Sequence, residues 1–180
     1  VTHLSNVTGT IVPIKEIVEI ARKKNIPVLV DGCQSAPHIK IDVKDLDCDF
    51  FAFSAHKVYG PTGVGLLYAK KKWLEKLPPY IGGGGMISEV KKDKITYAPL
   101  PEKYEAGTMP TAEVVAFNES IKFMQSIGIE NIIKHEKELT NYALEKLKKI
   151  NSVSIVGNPK NKAGVISFTI KGIHPHDIST

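Results

Sequence analysis

Two short apolar runs, each closed by residues able to do chemistry, constrain this chain more than any other feature. Residues 26–30 read Ile-Pro-Val-Leu-Val and end in Asp31-Gly32; residues 50–54 read Phe-Phe-Ala-Phe-Ser and lead into Ala-His-Lys at 55–57. Such runs are too short for stable helices and lack polar alternation, so they predict strands buried on both faces of a sheet. Residues 65–69 predict a third. Ahead of the first run, Ile14, Ile17, Val18 and Ala21 recur at helical spacing, Pro13 suits a first turn, and Asn25 and Pro27 close the segment. Strands separated by helical and turn segments make an α/β fold with a mostly parallel sheet. Ligands of such sheets gather outside the strand ends.

Downstream the pattern loosens and then recovers. Residues 78–110 are rich in Gly and Pro and include glycines at 82–85, which predicts loops and short strands. Residues 111–126 predict a helix, with Val114, Val115, Phe117, Ile121 and Met124 apolar and Gly128 past its end. A second helix is expected over 130–150, striped by Ile132, Leu139, Ala143, Leu147 and Ile150. From Val153 strands are expected, and Ile166, Phe168 and Ile170 alternate with Ser167 and Thr169. The expected boundary lies near Gly128: residues 1–128 form part of a large domain, and 129–180 a linking helix and the start of a smaller α/β unit. The 180 residues, 42% hydrophobic, have the material for one core of ordinary size. The chain opens inside an apolar segment and closes on His-Pro-His-Asp-Ile-Ser, the start of a helix, so a piece of a longer protein is expected.

Several function classes fall away. No apolar stretch approaches the ~20 residues that cross a bilayer, and no secretory leader is expected. Lys and Arg total 24 against 19 Asp and Glu, but the surplus is dispersed over faces carrying Lys146, Lys148 and Lys149, which argues against nucleic-acid binding. Cys33 and Cys48 match no zinc or redox spacing and point to a reducing, cytoplasmic setting; Cys48 reads as a buried small hydrophobe. The segment Gly60-Pro61-Thr62-Gly63-Val64-Gly65 lacks the Gly-Lys-Ser/Thr ending of a nucleotide-phosphate loop. His174 and His176, separated by Pro175, read as a helix entry rather than metal ligands, and no metal site is expected. His135 reads as a surface residue, and His38 has no evident partner.

What remains suits pyridoxal phosphate. That cofactor needs an amine for a Schiff base, a carboxylate to keep its pyridine nitrogen protonated, and donors for its phosphate. Asp31 closes one strand and Lys57 follows the next, with Ser54 and His56 beside it as phosphate donors. Taken singly, a strand-end Asp before Gly is most often a turn former and a lone Lys a solvated charge; the combination is what points to a site.

Four motifs then occur in order: Val-Thr-His-Leu-Ser-Asn-Val-Thr-Gly-Thr, Asp-Gly-Cys-Gln-Ser-Ala-Pro-His, Ser-Ala-His-Lys-Val-Tyr-Gly-Pro-Thr-Gly-Val-Gly and Tyr-Glu-Ala-Gly-Thr-Met-Pro. Together they resemble the class V aminotransferase family, most closely its Suf-type cysteine desulfurases, over the whole chain. The resemblance implies a fold type I large-domain portion with the start of a small C-terminal α/β domain. It makes Lys57 the Schiff-base lysine, His56 and Ser54 phosphate ligands, Asp31 the partner of the pyridinium nitrogen, and Gln34 a donor to the phenolic oxygen. Asn6 would sit beside that oxygen and the substrate carboxylate. Thr108, with Gly107, would reach across a homodimer interface to the partner's phosphate, near residues 82–85. The implied reaction takes sulfur from L-cysteine, leaving alanine and a persulfide on an enzyme cysteine, for a sulfur-acceptor protein and iron–sulfur cluster assembly. The family's persulfide cysteine and substrate-binding arginine are expected outside these residues, so this piece alone is expected to be inactive. Cys33 lies beside the cofactor position and is expected to face packing rather than act as nucleophile. A selenocysteine lyase, another class V enzyme and a non-catalytic scaffold are the alternatives.

Overall fold

The computed structural model describes residues 1–157 and 159–179. Ile14 and Val18, one helical turn apart on α1 (Ile14–Arg22), bury against Val28, Val30, Cys48 and Phe51. Val30 belongs to β1 (Leu29–Asp31) and Phe51 to β2 (Phe50–Ser54). The apolar run at 26–30 therefore pairs only from Leu29, and the strand includes Asp31. Between these strands lies the short α2 (Val43–Leu46), capped by the Asp42 carboxylate, which accepts from the amides of Lys44 and Asp45.

β2 runs parallel to β1 and antiparallel to β3 (Gly65–Ala69), so the sheet is mixed. Residues 55–64 are fewer than the dozen or so a parallel crossover needs, and they turn the chain straight back. On the far side of β1, Thr2 bridges Asp31 in parallel, the Asp31 amide donating to Val1 O and the His3 amide to Asp31 O. The sheet is buried fully on one face only. Val30 and Phe51 point into the core, whereas Leu29 and Leu67, on the opposite face, stay 49% and 59% exposed. Asp31, Ala52, Ser54 and Leu67 share that opposite face by register.

Asp49 ties the start of β2 to its surroundings. Its buried carboxylate accepts from the Val28 amide at 3.0 Å and the Trp73 indole at 2.7 Å, with Lys72 at 3.5 Å. Trp73 lies on α3 (Lys71–Lys76). The Gly/Pro-rich middle holds the hairpin β4 (Ile87–Val90) and β5 (Ile95–Tyr97). Gly107 N donates to Gly84 O, so the glycine run and residues 105–109 lie together.

The two long helices, α4 (Thr111–Ile127) and α5 (Ile129–Leu147), meet at Gly128, whose φ of 84° turns the chain. β6 (Val153–Val156) and β7 (Ser167–Ile170) form an antiparallel pair, and α6 (Pro175–Ser179) follows. His38 finds its partner here: Nδ1 lies 2.8 and 3.0 Å from the Glu136 carboxylate on α5. Among the described residues no helix is long and apolar enough to cross a membrane, and no cluster of His, Cys, Asp and Glu could hold a metal ion.

Candidate cofactor site at the strand ends

The C-terminal ends of β1 and β2 lie side by side because their pairing is parallel, and this brings the chemistry together. Gly32 continues the register by donating from its amide to Ala52 O at 2.8 Å. The chain then turns through 33–39, the Asp31 carboxylate accepting from the Cys33 amide at 3.0 Å. Buried Ser35 closes that turn by donating to Gly32 O. Gly32 is obligatory for a steric reason: a Cβ there would lie 2.1 Å from the Phe51 ring.

Ser54 ends β2 on the same face as Asp31, and its Oγ is 3.7 Å from Cys33 Sγ. Lys57 follows on a single 3-10 turn (Ala55–Lys57). That turn is fixed from below. Ala55 and Val58 are buried against Phe117 of α4, and the Phe53 and Phe117 rings meet at 6.0 Å. Gly60 N and Val58 N both donate to Ala55 O, and Gly60 has only 2.9 Å between a would-be Cβ and that oxygen. Lys57 is half-buried and His56 exposed as a result.

The electrostatics join the two strand ends. The Cys33 amide holds the Asp31 carboxyl below the usual carboxylate range, helped by the Cys33 thiol and the Lys57 charge and opposed by partial burial. Lys57 is thus near enough for its charge to act on Asp31, yet the two form no ion pair among the described residues. A carboxylate and an amine that face one region without consuming each other suit a flat group with a basic nitrogen at one end and an aldehyde at the other. Ser54 and His56 carry the kind of donors a phosphate needs. The donor set therefore fits pyridoxal phosphate.

Asn6 stands at the tip of a tight hairpin that leaves the sheet just after the Thr2–Asp31 bridge, on the same edge. Gln34 is half-buried within the turn after Asp31. Thr108 stands apart: it is exposed on the segment that Gly107 joins to the glycine run, and no hydrogen bond among the described residues ties it to the strand ends. Two cavities also lie elsewhere. One of about 590 Å³ runs between α5 and residues 159–164, and one of about 690 Å³ between the buried sheet face and α4. Neither is lined by Asp31 or Lys57.

Two contacts were not legible in the sequence. Cys33 against Ser54 joins residues 21 apart, through strand pairing alone. His3, buried edge-on to Phe51 with Nδ1 unpartnered, gives no local signal beyond its place before Leu4.

A family model for class-V aminotransferases matches residues 1–180. A probable cysteine desulfurase of Halalkalibacterium halodurans is 49% identical over 180 residues, which is 100% of this chain and 44% of that protein. The apo cysteine desulfurase of Thermococcus onnurineus NA1 superposes with a TM-score of 0.93 at 35% identity, over 98% of this chain and 45% of the other. A C-DES mutant with glycine covalently linked to its PLP cofactor gives 0.87 at 27% identity, over 98% and 48%. The chain thus spans less than half the length of the curated relative.

Proposed function

The chain belongs to the class-V aminotransferase family, and on that footing we propose that it is the cofactor-binding portion of a pyridoxal-phosphate-dependent cysteine desulfurase. The observation that carries the reading is the pairing of an unconsumed carboxylate, Asp31, with an amine, Lys57, at adjacent parallel strand ends. Similarity to cysteine desulfurases over the full chain supports L-cysteine over other class V substrates.

When bound, pyridoxal phosphate supplies an electron sink for charge developing at a substrate's α-carbon. Asp31, held ionised by the Cys33 amide, would keep a proton on the ring nitrogen. Lys57 Nζ would hold the cofactor and carry a proton to and from the substrate. Ser54 Oγ and the His56 ring would donate to the phosphate, Gln34 would hydrogen-bond the phenolic oxygen, and Asn6 would sit beside that oxygen and the substrate carboxylate. The rigid seat of Ala55 and Val58 on Phe117 keeps the Lys57 turn from relaxing toward solvent.

The finer reading extends to the whole protein. Residues 1–128 belong to the cofactor-binding domain and 129–180 to a linking helix and the start of a smaller domain. The protein is a cytoplasmic homodimer that passes sulfur to an acceptor for iron–sulfur cluster assembly. Exposed Thr108 beside the glycine run, and Tyr80 at 99% exposure close by in sequence, support a partner subunit at that edge. The two free cysteines support a reducing compartment.

The test is a visible absorption spectrum of the protein with added pyridoxal phosphate, then borohydride reduction and peptide mapping. A visible band and a modified peptide containing Lys57 are expected. Modification at another lysine, or an unchanged spectrum in Lys57→Ala, would sink the assignment.

A further inference from the structure

The hairpin that carries Asn6 is held from the opposite end of the chain. Leu4 and Ile11 bridge at its base, Ser5 Oγ accepts from the Val7 and Thr8 amides at 3.2 Å, and Gly9 N donates to Ser5 O. These bonds use the donors of the turn and not the Val7 and Thr8 carbonyls. Residues 161–167 meet the hairpin. Backbone pairs come first: Ala163 N donates to Gly9 O at 2.9 Å and Ile11 N to Asn161 O at 3.1 Å, with Thr10 bridging Lys162. Contact is close enough that a Cβ on Gly9 would sit 2.9 Å from Val165 O.

Any residues could supply those backbone bonds. At the tip, the hydrogen bonds among the described residues come from side chains: the Lys162 ammonium donates to Thr8 O and the Ser167 hydroxyl to Val7 O. Lys162 is half-buried and in no ion pair among the described residues, so the carbonyl is the partner its charge has. Partial desolvation lowers the Lys162 pKa, as expected for an ammonium drawn out of water. A charged donor on a carbonyl is a stronger tether than a neutral one.

We infer that Lys162 is a positioning residue for the cofactor site: by gripping the Thr8 carbonyl it fixes the hairpin tip, and so Asn6, at the C-terminal edge of β1. This rests on the functional reading above for what Asn6 touches. It makes the C-terminal part of the chain a determinant of the site, through one side chain 154 residues from its acceptor.

The experiment compares Lys162→Met, which keeps the stem and loses the donor, with Lys162→Arg, which keeps a donor. In the cofactor-free protein, amide exchange at residues 6–9 is expected to quicken about tenfold in Lys162→Met and return toward the parent rate in Lys162→Arg. Ser167→Ala, at the neighbouring carbonyl, should act in the same direction without threatening the fold. Pyridoxal phosphate affinity, read from its absorbance, is expected to fall severalfold in Lys162→Met. In an Asn6→Ala background the same substitution should then change affinity little, because its effect passes through Asn6. Unchanged exchange would overturn the inference, and so would an equal loss of affinity with and without Asn6. Absence of cofactor uptake by the parent overturns the functional reading instead, while exchange in the cofactor-free protein still decides whether Lys162 orders the tip.

Discussion

Gly32→Ala puts the packing beneath the site to a direct test. The added methyl would lie 2.1 Å from Phe51 Cζ and 2.3 Å from Cε1, where ordinary contact begins at 3.4 Å. The ring tip must therefore retreat by more than 1 Å, or the turn after Asp31 must lift by as much. Phe51 cannot swing freely: it is 2% exposed and packed among Val30, Ile14 and the edges of His3 and Phe53. Overpacking of this kind typically costs about 1–3 kcal/mol, and three ring atoms within 3.0 Å place this case near the upper end, about 3 kcal/mol. Urea unfolding is the assay, with the midpoint falling at constant slope. Phe51→Leu removes the obstructing ring atoms, so the double variant should be more stable than the sum of the single losses predicts, by about 1 kcal/mol or more. Because Gly32 separates Asp31 from Cys33, cofactor affinity should fall in Gly32→Ala and recover in the double variant. A Gly32→Ala protein within about 0.5 kcal/mol of the parent would refute the reasoning, since the neighbours would then yield at little cost.

Asp31→Asn keeps an oxygen for the Cys33 amide but loses the charge; the fold should survive by circular dichroism while the visible spectrum with pyridoxal phosphate weakens, and an unchanged spectrum would remove Asp31 from the site. Asp49→Ala should cost about 2–3 kcal/mol, the range for hydrogen bonds to a buried charged group, measured by urea unfolding at neutral pH. Burial pushes the Asp49 carboxyl up, but the Trp73 indole, the Val28 amide and the Lys70 and Lys72 charges outweigh it and hold it below the usual range. Its stabilisation is therefore complete above the unfolded-state value, about 3.9, and is lost as pH falls through the lower folded value. Asp49→Asn should flatten that acid limb. Burial likewise lowers the His3 pKa, so the fold favours the neutral ring. Its contribution is whole above about pH 6.5 and declines as the medium becomes more acidic; His3→Leu should be less sensitive between pH 7 and 5, by thermal unfolding.

The strands at 50–54 and 65–69 were legible because β-rich apolar runs bounded by turn formers leave no competing structure. The helices were legible from their apolar period, with ends within a few residues. Asp31 and Ser54 were legible as strand ends, and Lys57 as a residue just past one, because apolar runs mark where each strand stops. The direction of β3 was not legible as first read: a short connection and not the apolar pattern dictates an antiparallel return. Nor was the exposed sheet face, because a uniform apolar run looks the same whether one side or both are covered. Gly32 could be read as a turn former but not as a clearance for Phe51, a residue reached only through strand pairing. The partner of His38 lay 98 residues away on α5, and the grip of Lys162 on Thr8 spans most of the chain. Local sequence thus determined the chemistry available and the elements that carry it. Which groups face one another, and what holds the Asn6 hairpin still, were decided by tertiary packing, because contacts between distant segments leave no periodic trace in either one.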